Sequence, residues 1–410
     1  MGSWADSFFE GVDTFFAWLG TSLKQTTESY CDLETADSPT VLVNHDGSLL
    51  SIIKIEGITA LAGQEEFERL VEGLNNAFQG AMGRPGHALQ VFFSHDKQNI
   101  RKVIENIYAP AENTANRLEL ELTDLFKERV NYLSRYCAEE KLYFVLYTRP
   151  FNLPGDQLKV ANKTKTKLIK DKKLPPFKYT QTVHAALPEI RDTHDAYVRS
   201  VLNDLETLNI FASLLEVHDA LHAIRMSADP DFTAEDWQAF LPGDRLYPRN
   251  VNNFEGDASD LLWPPLAKQI IPRDGENLDL RTVRVGDKIY SSVYIDLFPK
   301  DIRPFVSLFS RILPSHVPWR ISFLLESEGL NTIKLKGLLA AILSFSSAQN
   351  RLISDSVNLL KYLKINTDDT IVKLRVVATT WAREQDLPLL RRRNSELVKA
   401  IQGWGSTDVS

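Results

Sequence analysis

The sequence predicts an α+β protein with two mixed, mostly antiparallel sheet lobes, long helices, and a helical segment between the lobes. Two observations carry this prediction: a strand–turn–strand pattern at residues 37–57 and a second at 282–295. Each is followed by helix, strand, helix and strand, an order typical of α+β lobes. A chain of 410 residues is also longer than a domain with a single hydrophobic core usually is, so two lobes are expected.

The first lobe is predicted over residues 31–150. Its hairpin turns at Asp46-Gly47, a pair that suits positive φ between strands. The hairpin is followed by helix 65–82, strand 87–93, helices 97–108 and 111–140, and strand 142–147.

Residues 151–180 form a lysine-rich stretch without evident apolar periodicity. We predict a linker here, in the form of a loop or an extended, mobile arm. A solvated linker is the ordinary interpretation; an anionic lipid surface, an acidic partner or single-stranded nucleic acid are alternatives. The absence of interleaved aromatic residues weighs against nucleic acid. The candidate partner-binding residues are Lys163, Lys165, Lys167, Lys172 and Lys173.

Residues 181–280 are predicted as a helical segment, over 186–226, followed by a Pro- and Gly-rich connection. The second lobe is predicted over residues 281–410. It begins with two strands around Gly286-Asp287. The elements that follow are helix 301–313, strand 319–325, helix 335–363 as one helix or two, strand 371–379 and helix 387–401.

Residues 1–30 are predicted as an amphipathic helix and a polar tether. The helix has an aromatic stripe that contains Trp4, Phe8, Phe15, Phe16 and Leu19. The stripe could pack on the protein's own body, on a partner subunit or on a membrane surface. The acidic opposite face argues against the membrane, since interfacial helices usually carry Lys and Arg there. We expect this helix to lie apart from the lobes and to bind a neighbouring subunit or an inner-membrane component.

Composition restricts the compartment and the partners. A net charge of −7 offers no domain-wide basic excess for nucleic-acid phosphates. The two cysteines, Cys31 and Cys137, form no paired framework, which favours a reducing compartment. No apolar run approaches the roughly 18 residues of a membrane span. Acids precede the first cation, Lys24, unlike the basic start of a signal peptide. We therefore expect a cytoplasmic protein.

The sequence contains no complete catalytic motif. It has no G-x-x-x-x-G-K-[ST] phosphate loop, no G-x-G-x-x-G after a strand and no G-x-S-x-G elbow. No catalytic, cofactor-binding or metal-binding residue is therefore assigned.

The sharpest local pattern is His218-Asp219-x-x-His222. Its two histidines share one helical face and could bind zinc, with Glu216 or His194 as a third ligand. Two partly exposed helix histidines are the plainer interpretation. The alternative functions are thus a stand-alone metal-dependent hydrolase or a cytosolic scaffold of unrelated ancestry.

Several stretches resemble a known family. They are "SYCDLETADSPTVLVNHDGSLLSIIKIEG", "KIYSSVYIDLFPKDIRPFVSLFSRILPSHVPWRISFLLESEG" and the closing "LVKAIQGWG". They are similar to the N-terminal domain of the type IV secretion and conjugation ATPases, the TraC-like class that is the fourth component of the VirB set. The first stretch looks closest to the IcmB/DotO and TraU branch. The resemblance runs from about residue 28 to the end, and its motifs are diffuse and apolar.

The resemblance implies the front part of a larger motor. In that family this domain precedes a RecA-like ATPase, so ATP and Mg are expected in a motor domain beyond this sequence. The implied role is docking and assembly of a cytoplasmic hexameric ATPase at the face of the bacterial inner membrane, with assembly through dimers as an alternative route to the hexamer. The implied partners are inner-membrane and cytoplasmic secretion subunits, including a second cytoplasmic ATPase, with membrane-surface contact possible and nucleic acid not expected.

Overall fold

The computed structural model describes a large part of the chain. The described residues are 31–58, 63–97, 100–173, 179–232, 234, 236–244, 263–273, 275–279, 281–295, 303–314, 317–327, 358–359, 362, 370 and 372–405. The predicted N-terminal helix, with Trp4, Phe8, Phe15, Phe16 and Leu19, lies outside them. So does most of the predicted helix 335–363.

One sheet organises the described residues, and all of its strand pairs are antiparallel. Its spatial order is β1-β2-β3-β5-β4-β10-β11-β9-β8-β7, with β6 also paired to β3. The strands are β1 (Leu33–Ser38), β2 (Val41–Asn44), β3 (Leu49–Ile58), β4 (His87–Asp96), β5 (Glu139–Thr148), β6 (Ile210–Leu214), β7 (Gly275–Asp279), β8 (Thr282–Val285), β9 (Lys288–Tyr294), β10 (Trp319–Glu326) and β11 (Lys373–Arg383).

Helices pack on both faces of the sheet. In chain order they are α1 (Gln64–Met82), α2 (Ile100–Arg117), α3 (Thr123–Tyr136), α4 (Gly155–Asp171), α5 (Arg191–Thr207), α6 (Val217–Ala228), α7 (Leu266–Ile270), α8 (Phe305–Ile312) and α9 (Leu387–Trp404). On one face, α1 and α5 cover β3, β5 and β4, while α8 and α9 cover β10, β11 and β9. On the opposite face, α6 and α7 pack on β1, β2, β3 and β5. The C-terminal end of α6 also accepts hydrogen bonds from Tyr290 of β9 and Arg320 of β10.

The α+β class with antiparallel pairing is confirmed. The strands of the two predicted lobes join in one continuous sheet, because β10 of the second half pairs with β4 of the first from Trp319–His95 to Glu326–Ala88. Because side chains alternate between the two faces of a sheet, this pairing gives both halves of the chain the same two sheet faces.

Several predicted boundaries were wrong for local reasons. The helix predicted over 111–140 is broken, because Glu119 has φ of 55° between α2 and α3. The helical segment over 186–226 is interrupted where Asn209 has φ of 56°, and the chain then enters β6. Positive φ at a non-glycine residue is compatible with ending a helix but not with continuing one. The Pro/Gly-rich connection also holds β7, which the sequence pattern did not reveal.

Candidate docking surfaces

The lysine-rich stretch is a helix, so the loop interpretation of residues 151–180 was wrong over Gly155–Asp171. Leu158 and Ala161 face inward, against a cluster that includes Val43 and Leu187. Apolar residues three positions apart are typical of a helix. Because only these two inward residues show the spacing among many lysines, the sequence pattern did not predict the helix. The helix therefore holds its lysines at fixed positions.

Lys165 and Lys172 are bound within the protein. The Lys165 ammonium donates a hydrogen bond to the Ala185 carbonyl oxygen at 2.6 Å. Partial burial lowers the pKa of Lys165, although Asp46 and Glu34 oppose the shift. Lys172 Nζ lies 2.9 Å from His184 Nε2, which must accept the bond. The structure thus gives these two candidate residues positioning roles on α4 and its neighbouring segment.

The other lysines of α4 form an outward surface, which we call the lysine face. It comprises Lys159, Lys163, Lys167 and Lys170, spaced by three and four residues and all exposed. Within the described part of the chain, none of them forms an ion pair. Lys173 follows the helix with φ of 49° and is also exposed. Asp156 and Asp171 on the same helix are also exposed, but within the described residues neither pairs with these lysines, so the net positive surface can pair with an external anionic one.

Exposed apolar side chains lie beside the lysine face. Val160 is 65% exposed and Leu168 is 38% exposed on α4 itself. Val183, next to the His184 that contacts Lys172, is 46% exposed. Cations interspersed with apolar groups favour a partner surface that offers both anionic and apolar contact.

A second candidate surface is a trough on the sheet face that α6 and α7 leave partly open. It has a volume of about 900 Å³ and crosses β3, β5, β4, β10, β11 and β9. The pairing register of the strands places a row of trough residues side by side on one face of the sheet. From β3 to β11 these cross-strand neighbours are Ile52, Val145, Gln90, Leu324 and Arg375. Most of its floor is apolar, as in typical binding clefts.

Polar groups within the trough are tied to one another. Tyr147 donates its hydroxyl hydrogen to Gln90 Oε1 at 2.9 Å, and Gln90 Nε2 donates to Ser322 Oγ at 2.8 Å. Burial raises the pKa of Tyr147 to about 12, so it remains a neutral donor at neutral pH. The chain of bonds satisfies these groups while leaving the apolar floor open.

At one end of the trough, three cations surround one buried carboxylate. Glu326 is 3% exposed, and its oxygens lie 2.5 Å from Arg149, 3.1 Å from Arg375 and 3.7 Å from Lys373. The two arginines alone place two positive charges around a single negative charge, which leaves a local surplus. Because Arg149 and Arg375 also line the trough, this surplus faces its interior.

The histidine pair of α6 does not converge on a metal site. His222 Nε2 donates to the Ala234 carbonyl oxygen at 3.1 Å, and His218 Nε2 lies 3.2 Å from Asp244. His194 is a buried residue of α5, which packs on the opposite face of the sheet from α6, so it cannot join them. No cluster of three or more metal-ligating side chains occurs among the residues that the structure describes.

His194 instead belongs to a buried hydrogen-bonded group. Its Nδ1 lies 2.9 Å from Thr148 Oγ1, its Nε2 lies 3.0 Å from Ser51 Oγ, and His87 also contacts Thr148 at 3.2 Å. Burial lowers the pKa of His194 to about 3 and that of His87 to about 4. Both imidazoles are therefore neutral in the folded protein at neutral pH.

We expect this pair to make folding sensitive to mild acid. In the unfolded chain both histidines titrate near their ordinary pKa of about 6.5, so the unfolded state binds protons first as pH falls. Their contribution to stability is present above pH 6.5. As pH falls it is lost down to about pH 4 for His87 and about pH 3 for His194, by up to about 1.4 kcal/mol per pH unit for each group. Urea unfolding at pH 7.0, 6.0 and 5.0 measures how steeply the free energy of unfolding falls with pH.

A His194→Gln variant serves as the comparison. It is expected to be less stable at pH 7 but to lose less stability between pH 7 and 5, because one titrating group is gone. Equal slopes in the two proteins would contradict the assignment.

Comparison of the whole chain with family models finds no match, and comparison with curated proteins finds no significant one. Within the described ranges, no helix is both long and apolar enough to cross a membrane.

Proposed function

We propose that this chain is the docking and assembly domain of a cytoplasmic hexameric ATPase that energises a type IV secretion or conjugation system, peripheral to the bacterial inner membrane. The observation that carries the proposal is the lysine face, which presents exposed cations on a helix anchored to the sheet. The family resemblance of residues 29–57 and 288–329 adds to it. Nucleotide hydrolysis belongs to the motor domain that the resemblance implies.

The lysines of this region fall into two groups, and this supports a role in partner binding rather than in solubility alone. Lys165 and Lys172 hold α4 against the segment that contains Ala185 and His184. Lys159, Lys163, Lys167 and Lys170 point away from that contact on the exposed side. An anionic subunit that docks there meets several cations at once, and such charges mainly set association rate and specificity.

Charge reversal at the centre of the lysine face tests the proposal. In the full-length ATPase, Lys163→Glu with Lys167→Glu should reduce co-purification of the other secretion subunits about tenfold, because attraction becomes repulsion. Co-purification should also weaken as salt rises, since exposed charges are screened. The measurement is quantitative recovery of those subunits from cells that produce the complete secretion system.

The matched control places the same charge change elsewhere. Lys127 on α3 and Lys399 on α9 are both exposed, so Lys127→Glu with Lys399→Glu gives an equal net charge. This control should leave recovery near that of the unmodified protein. Equal losses in both variants, or unchanged recovery with the lysine face reversed, would exclude the lysine face as the docking surface.

A further inference from the structure

The trough has the composition of a site for an amphipathic segment. Its partly exposed floor carries Phe92, Leu324 and Val377, and aromatic side chains such as Tyr294 border it. On the opposite wall, Asp32 and Asp46 supply acids, and Asp46 is already bonded to the Ser48 backbone N–H and hydroxyl, each at 2.8 Å. Arg149 and Arg375, which pair with Glu326, lie on the β10–β11 side of the trough.

Residues 1–30 have matching chemistry. Their predicted helix combines an aromatic stripe with Asp6, Glu10 and Asp13 and has no cation before Lys24. The stripe suits the apolar floor, and the acids suit an end of the trough with surplus positive charge. Burying large aromatic side chains is the strongest contribution such a segment can make.

Connectivity places this segment at the trough. Cys31 and Asp32, where the described chain begins, line its wall. Residues 26–30 can span up to roughly 17 Å when extended. A helix over residues 4–19, as the sequence pattern predicts, would be roughly 24 Å long, and six strands at about 4.8 Å cover a similar width. A short tether also gives an attached segment a millimolar effective concentration.

We propose that residues 4–19 dock in the trough of their own chain, with Phe8, Phe15 and Phe16 on its apolar floor. This inference does not rest on the proposed function. It selects one of the interpretations that the sequence left open, packing on the protein's own body, over an independent helix that binds a neighbour. The segment then covers the open sheet face beside α6.

Photo-crosslinking in the full chain tests the site. A photoreactive phenylalanine analogue at position 8 should crosslink mainly to peptides that line the trough, around Tyr143–Tyr147 or Val377. A mixture of isotopically labelled and unlabelled chains distinguishes crosslinks within a chain from those between chains. Crosslinks within one chain are expected; mixed-label products as the main species, or crosslinks elsewhere, would overturn the proposal.

Two substitutions sharpen the test. Tyr294→Glu places a charge on the partly exposed trough border and should lower the crosslink yield about fivefold, because a carboxylate would be desolvated on docking. Tyr136→Glu, on the 72% exposed side chain at the end of α3, is the control and should leave the yield unchanged. Phe15→Ser with Phe16→Ser alters only the segment and should also lower the yield. If neither trough nor segment variant changes the yield, the proposal fails.

Discussion

Replacing Trp319 with alanine is expected to lower the free energy of unfolding by about 3–5 kcal/mol, because the largest fully buried side chain of the sheet leaves a cavity. Trp319 is 0% exposed at the start of β10. Its ring centroid lies 5.4 Å from that of Phe93 and 5.6 Å from that of His95, both on β4. On its other side it pairs with Thr380 of β11.

The position of Trp319 makes the result informative about domain organisation. Its contacts with β4 belong to the first half of the chain, and its pairing with β11 belongs to the second. If the continuous sheet unfolds as one unit, the substitution should accelerate amide exchange in β3 and β5 as well as in β9 and β11. Urea unfolding followed by circular dichroism, with exchange measured strand by strand, checks both effects.

Tyr136→Ala is the control, because its side chain is 72% exposed and its loss should change stability by no more than about 0.5 kcal/mol. Faster exchange confined to β9, β10 and β11 would contradict a single cooperative sheet. It would instead favour two lobes that fold independently.

Local patterns predicted much of the fold, because they are written in consecutive residues. The turn at Asp46-Gly47 and the apolar runs of β4 and β5 can be recognised without any partner strand. The β4–β10 pairing cannot, because it joins residues that are 224 to 238 positions apart in register pairs such as Trp319–His95 and Glu326–Ala88. The trough depends on this pairing, so sequence patterns did not reveal it.

The candidate site was predicted in part. The sequence identified the lysines of 159–173 but could not tell which of them are bound within the protein and which are exposed. Only the helix separates inward Lys165 from outward Lys163 and Lys167. The cluster around Glu326 was also missed. Arg149 reaches Glu326 from β5's end and Arg375 reaches it from β11, so its members come together only in the folded sheet.

Gly86→Ala is expected to cost about 3 kcal/mol of stability, because both the backbone conformation and the available space require glycine. Gly86 has φ of 95°, a left-handed conformation that side chains with a Cβ rarely adopt. A Cβ there would lie 2.7 Å from the backbone nitrogen of Asn152. That turn is held in place by a bond of 2.8 Å from the Arg149 backbone N–H to the Gly86 carbonyl oxygen, so it cannot simply withdraw.

The strain should extend to the trough, since Arg149 both bonds Gly86 and pairs with Glu326. Gly80→Ala is the matched control: Gly80 lies inside α1 with nothing within 4 Å of the added Cβ. Since alanine favours helix over glycine, this variant should gain up to about 1 kcal/mol. Urea unfolding of the two variants should therefore give shifts of opposite sign. A Gly86→Ala protein as stable as the unmodified chain would show that the 150–152 turn is free to move away from β4.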